Sequence, residues 1–198
     1  MGLVVTYILN FKRLKYVYRT LIIGNIQLTM KKFLFTLLTL AIILACDSES
    51  PYSGYSVYFK CDTAYHPFNQ ITSFGQFITV RRKTNKSYEV TDANGYKTTT
   101  NLSEIELRNP YFYGLGGLII GTPSVSDGNV WVYDLACPTC EAARYRLDVS
   151  RDGTGLATCP NCGNVYDLNN EGIPVKGKGR PLWRYRYMMY GTELVIRN

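Results

Sequence analysis

The residues best equipped for chemistry are four cysteines in two pairs. They are Cys137-Pro138-Thr139-Cys140 and Cys159-Pro160-Asn161-Cys162, with 18 residues between the pairs. Two C-x-x-C pairs separated by about 15–20 residues have the spacing of a metal site. Thiolates are soft ligands, and four of them make the tetrahedral set that zinc or iron takes. Each pair reads as a tight turn presenting two sulfurs, with the proline presetting φ and Gly163 allowing a left-handed residue after the last ligand. The same residues could form two structural disulfides outside the cytoplasm, or a thiol–disulfide redox pair. A redox C-x-x-C opens a helix after a strand. Here both pairs lie between expected strands and the motif is duplicated, which favours a metal.

The surrounding chain must hold those turns face to face. From Gly54 onward it is rich in Tyr, Val, Thr and Ile, with turn residues at short intervals, the pattern of an all-β antiparallel sandwich or barrel. Expected strands are Tyr55–Lys60, Gln76–Arg82, Ser87–Thr91, Tyr96–Asn101, Gly117–Gly121, Val130–Asp134, Arg144–Val149, Val165–Leu168, Leu182–Tyr190 and Glu193–Arg197. Asn94-Gly95 is a hairpin signal. Alternation of Trp183, Tyr185 and Tyr187 with charged residues places aromatics on one face. A short helical turn is expected near Ser103–Leu107, and the hairpin between the cysteine pairs should bring them together.

The net charge of +7 resides in the N-terminal segment. Residues 1–45 carry six basic side chains and no acidic one, leaving 16 basic against 15 acidic side chains beyond them. Such a balance excludes nucleic-acid binding as the expected function. Met30-Lys31-Lys32 followed by the apolar run Phe33–Leu44 is built like an export signal, too short for a comfortable membrane span, with an uncleaved N-terminal membrane anchor as the alternative. It ends in Ile43-Leu44-Ala45-Cys46, which resembles a bacterial lipobox, with Cys46 as the lipidated residue. Residues 1–45 are thus expected to be an over-extended start plus signal, with Met30 the initiator. Residues 46–53 would be a lipidated tether and 54–198 the β domain, with metal loops at 137–140 and 159–163. The acidic run after Cys46 resembles surface-export signals of the Bacteroidetes lineage. The expected location is the bacterial cell envelope, anchored to the membrane by lipid.

Three stretches carry a family resemblance: Tyr133 to Pro138, Ala157 to Leu168, and Gly172-Ile173-Pro174 with Gly177 to Tyr185. Together they resemble a Rieske domain, in which two loops clasp a [2Fe–2S] cluster within a β fold. The resemblance covers Gly117–Asn198. A Rieske centre uses two histidine ligands. This chain has one histidine, His66, far from the motif, so a Cys₂His₂ cluster within one chain is excluded. Cys162 stands at the second loop's histidine position, and Cys140 one residue beyond the first loop's. The implied site is a Rieske-like scaffold carrying a rubredoxin- or zinc-ribbon-like subdomain with ligands Cys137, Cys140, Cys159 and Cys162. Zinc is the favoured occupant, with a [2Fe–2S] cluster or a single iron as alternatives. The signal lacks a twin arginine, so export of an unfolded chain is expected, and zinc can bind afterwards.

Other residues are assigned bland roles. Cys61 is expected as a small buried hydrophobe on a strand. His66 reads as a loop residue, and Tyr111-Phe112-Tyr113 before 114–117 as core and turn rather than pocket lining. Asp134 and Asp167 could be hydrogen-bond acceptors behind the ligands or turn-closing residues. Lys176, Lys178, Arg180 and Arg144 could offset thiolate charge or be solvated. The expected function is a non-enzymatic metal-binding envelope protein with an envelope partner. An electron-transfer protein and a thiol–disulfide oxidoreductase are the alternatives.

Overall fold

The computed structural model describes residues 50–198 and Lys31, and the account below concerns 50–198. The export signal and Cys46 lie outside the described residues. Among the described residues no helix is long and apolar enough to cross a membrane.

The fold is all-β and antiparallel, as expected. Thirteen strands follow in order: β1 (Val57–Asp62), β2 (Gln76–Thr84), β3 (Ser87–Thr91), β4 (Lys97–Asn101), β5 (Phe112–Tyr113), β6 (Leu118–Thr122), β7 (Trp131–Asp134), β8 (Asp148–Val149), β9 (Leu156–Thr158), β10 (Val165–Asp167), β11 (Ile173–Lys176), β12 (Tyr187–Tyr190) and β13 (Glu193–Arg197). They form three sheets: β4-β3-β2-β6-β7, β12-β13-β1-β5 and β11-β10-β9-β8. The expected helical turn is α1 (Glu104–Arg108), entered through a reciprocal cap between Ser103 and Glu106.

The five-stranded sheet is the middle layer, because successive strand residues point to opposite faces. Leu118 and Ile120 of β6 pack with Phe59, Leu194 and Ile196 of the second sheet. Ile119 between them packs with Leu147, Tyr166, Cys137 and Cys159. All five residues of β6 are therefore buried, and the cysteine site belongs to the core on the second face.

Three expectations needed adjusting. The strand expected over Leu182–Tyr190 is regular only over Tyr187–Tyr190. Its first half instead crosses the edge of β7, where Asp134 N–H donates to Trp183 O and Tyr185 N–H to Val132 O. The alternation still holds there, with Trp183 and Tyr185 buried and Arg186 exposed. Residues Pro51–Ser53, expected in the tether, pair with the same segment: Arg184 N–H donates to Pro51 O and Ser53 N–H to Arg184 O. The domain therefore begins before Gly54. Arg144–Val149 is regular only at β8, although Ala136 pairs with Arg146. The short strands β5, β9 and β11 carried no separate sequence signal.

Candidate metal centre

The cysteine pairs sit at the same end of a folded-back segment. β7 runs into residues 134–137, which pair with 145–147 through Leu147 N–H to Leu135 O and Cys137 N–H to Tyr145 O. The chain then turns over residues 150–155 into the β8–β9 hairpin, and β9 leads directly to Cys159. The second pair caps the β9–β10 hairpin, in which Thr158 is opposite Val165. The 18-residue spacing thus has a physical basis: it accommodates one out-and-back excursion.

Each pair makes the same kind of turn. Cys137 O accepts from the N–H groups of Cys140 and Glu141, and Cys159 O accepts from Gly163 N–H. The residue after the second cysteine is left-handed in both turns, Gly163 at φ 73° and Glu141 at φ 48°. Gly163 was legible in the sequence as the residue suited to that conformation. Glu141 carried no such signal.

The four sulfurs lie within 4.8 Å of one another. The contacts across the loops are Cys137 Sγ to Cys162 Sγ at 3.6 Å and Cys140 Sγ to Cys159 Sγ at 3.8 Å. No pair is bonded as a disulfide. Cys137 and Cys159 are buried, Cys140 is half-buried and Cys162 is exposed. The four cysteines therefore form a group that could hold one metal ion.

Below the sulfurs lies a small polar network. The Tyr166 hydroxyl is 3.5 Å from Cys137 Sγ and 3.1 Å from Thr139 Oγ1. Asn164 Nδ2 donates to Thr139 Oγ1, to the Tyr166 hydroxyl and to Lys178 O. It thereby ties the second turn to the first and to the segment 177–179. On the solvent side Asn161 Nδ2 donates to Cys140 Sγ at 3.3 Å. The sequence includes these four polar residues in the motifs and the resembling stretches but gives no sign of their contacts with the sulfurs and with one another, because those contacts join separate turns.

Burial opposes ionisation of Cys137. Hydrogen bonds from the Tyr166 hydroxyl and the Cys140 N–H outweigh it and bring the thiol down to about 7. Burial first, and the neighbouring thiols after it, push Cys140, Cys159 and Cys162 upward. One thiol is thus prepared for loss of its proton, and binding of an ion would draw protons from the rest.

The other candidates separate clearly. Asp134 organises the approach to Cys137: its carboxylate accepts from the N–H groups of Leu115, Gly116 and Ala136 and from the Tyr185 hydroxyl. Asp167 accepts from Asn169 N–H and closes a turn. Both are thus turn-organising residues, and neither hydrogen-bonds a sulfur. Arg144 stacks on Tyr145, Arg180 on Trp183, and Lys178 enters through its carbonyl. His66 lies on a loop 3.9 Å from Asp92. Cys61 is buried on β1 and its thiol is pushed up to about 12 by burial, as an inert thiol should be.

No protein-family model matches this chain, and no curated protein or solved structure is significantly similar to it. What the site can do therefore rests on its own atoms.

Proposed function

We propose that this chain is a non-enzymatic metal-binding β domain of Rieske-like type, whose Cys137, Cys140, Cys159 and Cys162 hold one zinc ion in a structural role. The carrying observation is the spacing of the sulfurs. At a Zn–S distance of about 2.3 Å, the edges of a tetrahedral set are about 3.8 Å. The two contacts across the loops, 3.6 and 3.8 Å, match that edge, and every other pair is within 4.8 Å. A two-iron cluster would divide the thiolates between two metals and hold the pairs further apart. The bound ion would supply charge neutralisation and a cross-link between the two loops. Binding of zinc by such sets contributes on the order of 10 kcal/mol to folding in zinc-finger peptides.

A single iron on the same ligands is the second reading. The exposure of Cys162 and partial exposure of Cys140 support it, since an electron carrier must offer its metal edge to a redox partner. We further infer from the sequence a lipid anchor at Cys46 and an envelope location, with another envelope protein as partner. Metal analysis with a visible spectrum of protein from its native membrane tests the metal. One zinc per chain and no colour is expected. A reducible thiolate-to-iron absorption band would overturn zinc in favour of the carrier. Metal-free protein with a titratable dithiol would overturn both. Labelled fatty acid incorporated into the chain and lost in Cys46→Ser tests the anchor.

A further inference from the structure

Three surface clefts differ in how their charges are balanced. The cleft between β2, β3 and the residues after β7 contains Arg81, Arg151, Lys97 and one side of Arg146, but Arg81 is held by Glu89 at 2.6 Å and Asp148 also faces it. The cleft near Cys61 is rimmed by Asp62, Glu106 and Glu193. A third cleft of about 350 Å³ is lined by Arg82 and Arg146 and by no carboxylate. Neither arginine has an ion-pair partner among the described residues.

Both guanidinium groups are positioned by the protein yet not used up. Arg146 Nε donates to Gly116 O at 2.7 Å, and Arg82 donates one N–H to Tyr111 O at 3.0 Å while lying over the Tyr113 ring. Their remaining donors make no side-chain or backbone hydrogen bond among the described residues, and a guanidinium can grip a carboxylate through two parallel bonds. Tyr55 and Phe112 form the walls and are 37% and 46% exposed, large apolar surface left in water.

The fourth side is the turn 114–117, and it decides between anions. A glycine-rich turn can cradle phosphate through free N–H groups. Here Gly114 N–H is spent on Ser56 O, and the Leu115 and Gly116 N–H groups on the Asp134 carboxylate. Three of the turn's four N–H groups are thus spent, and recognition falls mainly to the two arginines and the two aromatic walls. We propose that this cleft binds a small organic carboxylate with a flat apolar body, its carboxylate on Arg82 and Arg146 and its body between Tyr55 and Phe112. The site is separate from the sulfur cluster and does not depend on which metal occupies it.

The test is a titration of naphthoate into the full-length chain in detergent, followed by calorimetry and ligand-observed NMR. Naphthylmethanol and inorganic phosphate serve as comparison probes. Naphthoate should bind saturably, Arg82→Gln and Arg146→Gln should each weaken it about tenfold, and Phe112→Ala should weaken it severalfold. The neutral alcohol and phosphate should bind at least about tenfold more weakly. Arg82 is exposed, so its variant keeps the fold and the metal even if Arg146→Gln disturbs the neighbouring loop. Absence of saturation below about 10 mM, or binding unchanged in a folded Arg82→Gln variant, would overturn the site. Equal binding of the alcohol would overturn the carboxylate, and tighter binding of phosphate would overturn the flat apolar body.

Discussion

The Tyr166 hydroxyl lies 3.5 Å from Cys137 Sγ, on the buried side of the sulfur cluster, and both residues are fully buried. The same oxygen touches Thr139 and receives Asn164 Nδ2, so one hydroxyl links both cysteine turns. Tyr166→Phe keeps the ring and removes only those contacts. Stability should fall by about 1 kcal/mol, the net worth of such a hydrogen bond. Affinity for the ion should fall about 10- to 100-fold, as when a partner behind a ligand is lost. Competition with a chromogenic chelator measures the second effect, and an unchanged affinity would show that the contact does not tune the site.

Metal removal should be felt locally. Cys159→Ser, or a strong chelator, should expose the amides of the β8–β11 sheet to hydrogen exchange. The β12-β13-β1-β5 sheet packs on the other face of the middle layer and should keep its protection. Equal protection in both sheets after metal loss would argue against a structural ion.

The left-handed residues of the two turns make a paired prediction. Nothing lies within 4 Å of a Cβ at Gly163, so Gly163→Ala would incur a purely conformational cost of about 1 kcal/mol. Glu141 already carries that cost at φ 48°, and Glu141→Gly should recover up to about 1 kcal/mol. Thermal unfolding of the two variants should therefore shift in opposite directions.

Glu106 makes stability depend on pH. Burial raises its carboxyl, but hydrogen bonds from Ser103 and Tyr111 outweigh this and hold it below its ordinary 4.5. A carboxyl lowered on folding contributes stability above its unfolded pKa and loses it as pH falls through the folded one. Glu106→Ala should cost about 1 kcal/mol at pH 7, the usual worth of a helix cap. The gap between wild type and variant should narrow steadily below pH 4.5, as followed by denaturant titration across pH. A gap that does not change with pH would assign the effect to packing alone.

Local chemistry determined much of this protein. The spacing of Cys137, Cys140, Cys159 and Cys162 identified the cysteine group that could hold a metal, because C-x-x-C turns and a hairpin of set length depend on near neighbours. β-rich runs bounded by turn residues placed β3 and β13 at Ser87–Thr91 and Glu193–Arg197, β13 with alternating burial and β3 buried throughout. The capping pair of Ser103 and Glu106 likewise acts across three residues. Tertiary structure decided what depends on distant partners. Leu182–Arg186 leaves the regular ladder because its carbonyls and N–H groups serve β7 and Pro51–Ser53. Asn164 gains meaning only when Lys178 and Thr139 arrive beside it. Arg82 and Arg146, distant in sequence, face one cleft because β2, β6 and β7 are hydrogen-bonded neighbours and Arg146 anchors to Gly116 just before β6. Sequence patterns record contacts along the chain, whereas these contacts exist only after three sheets have stacked.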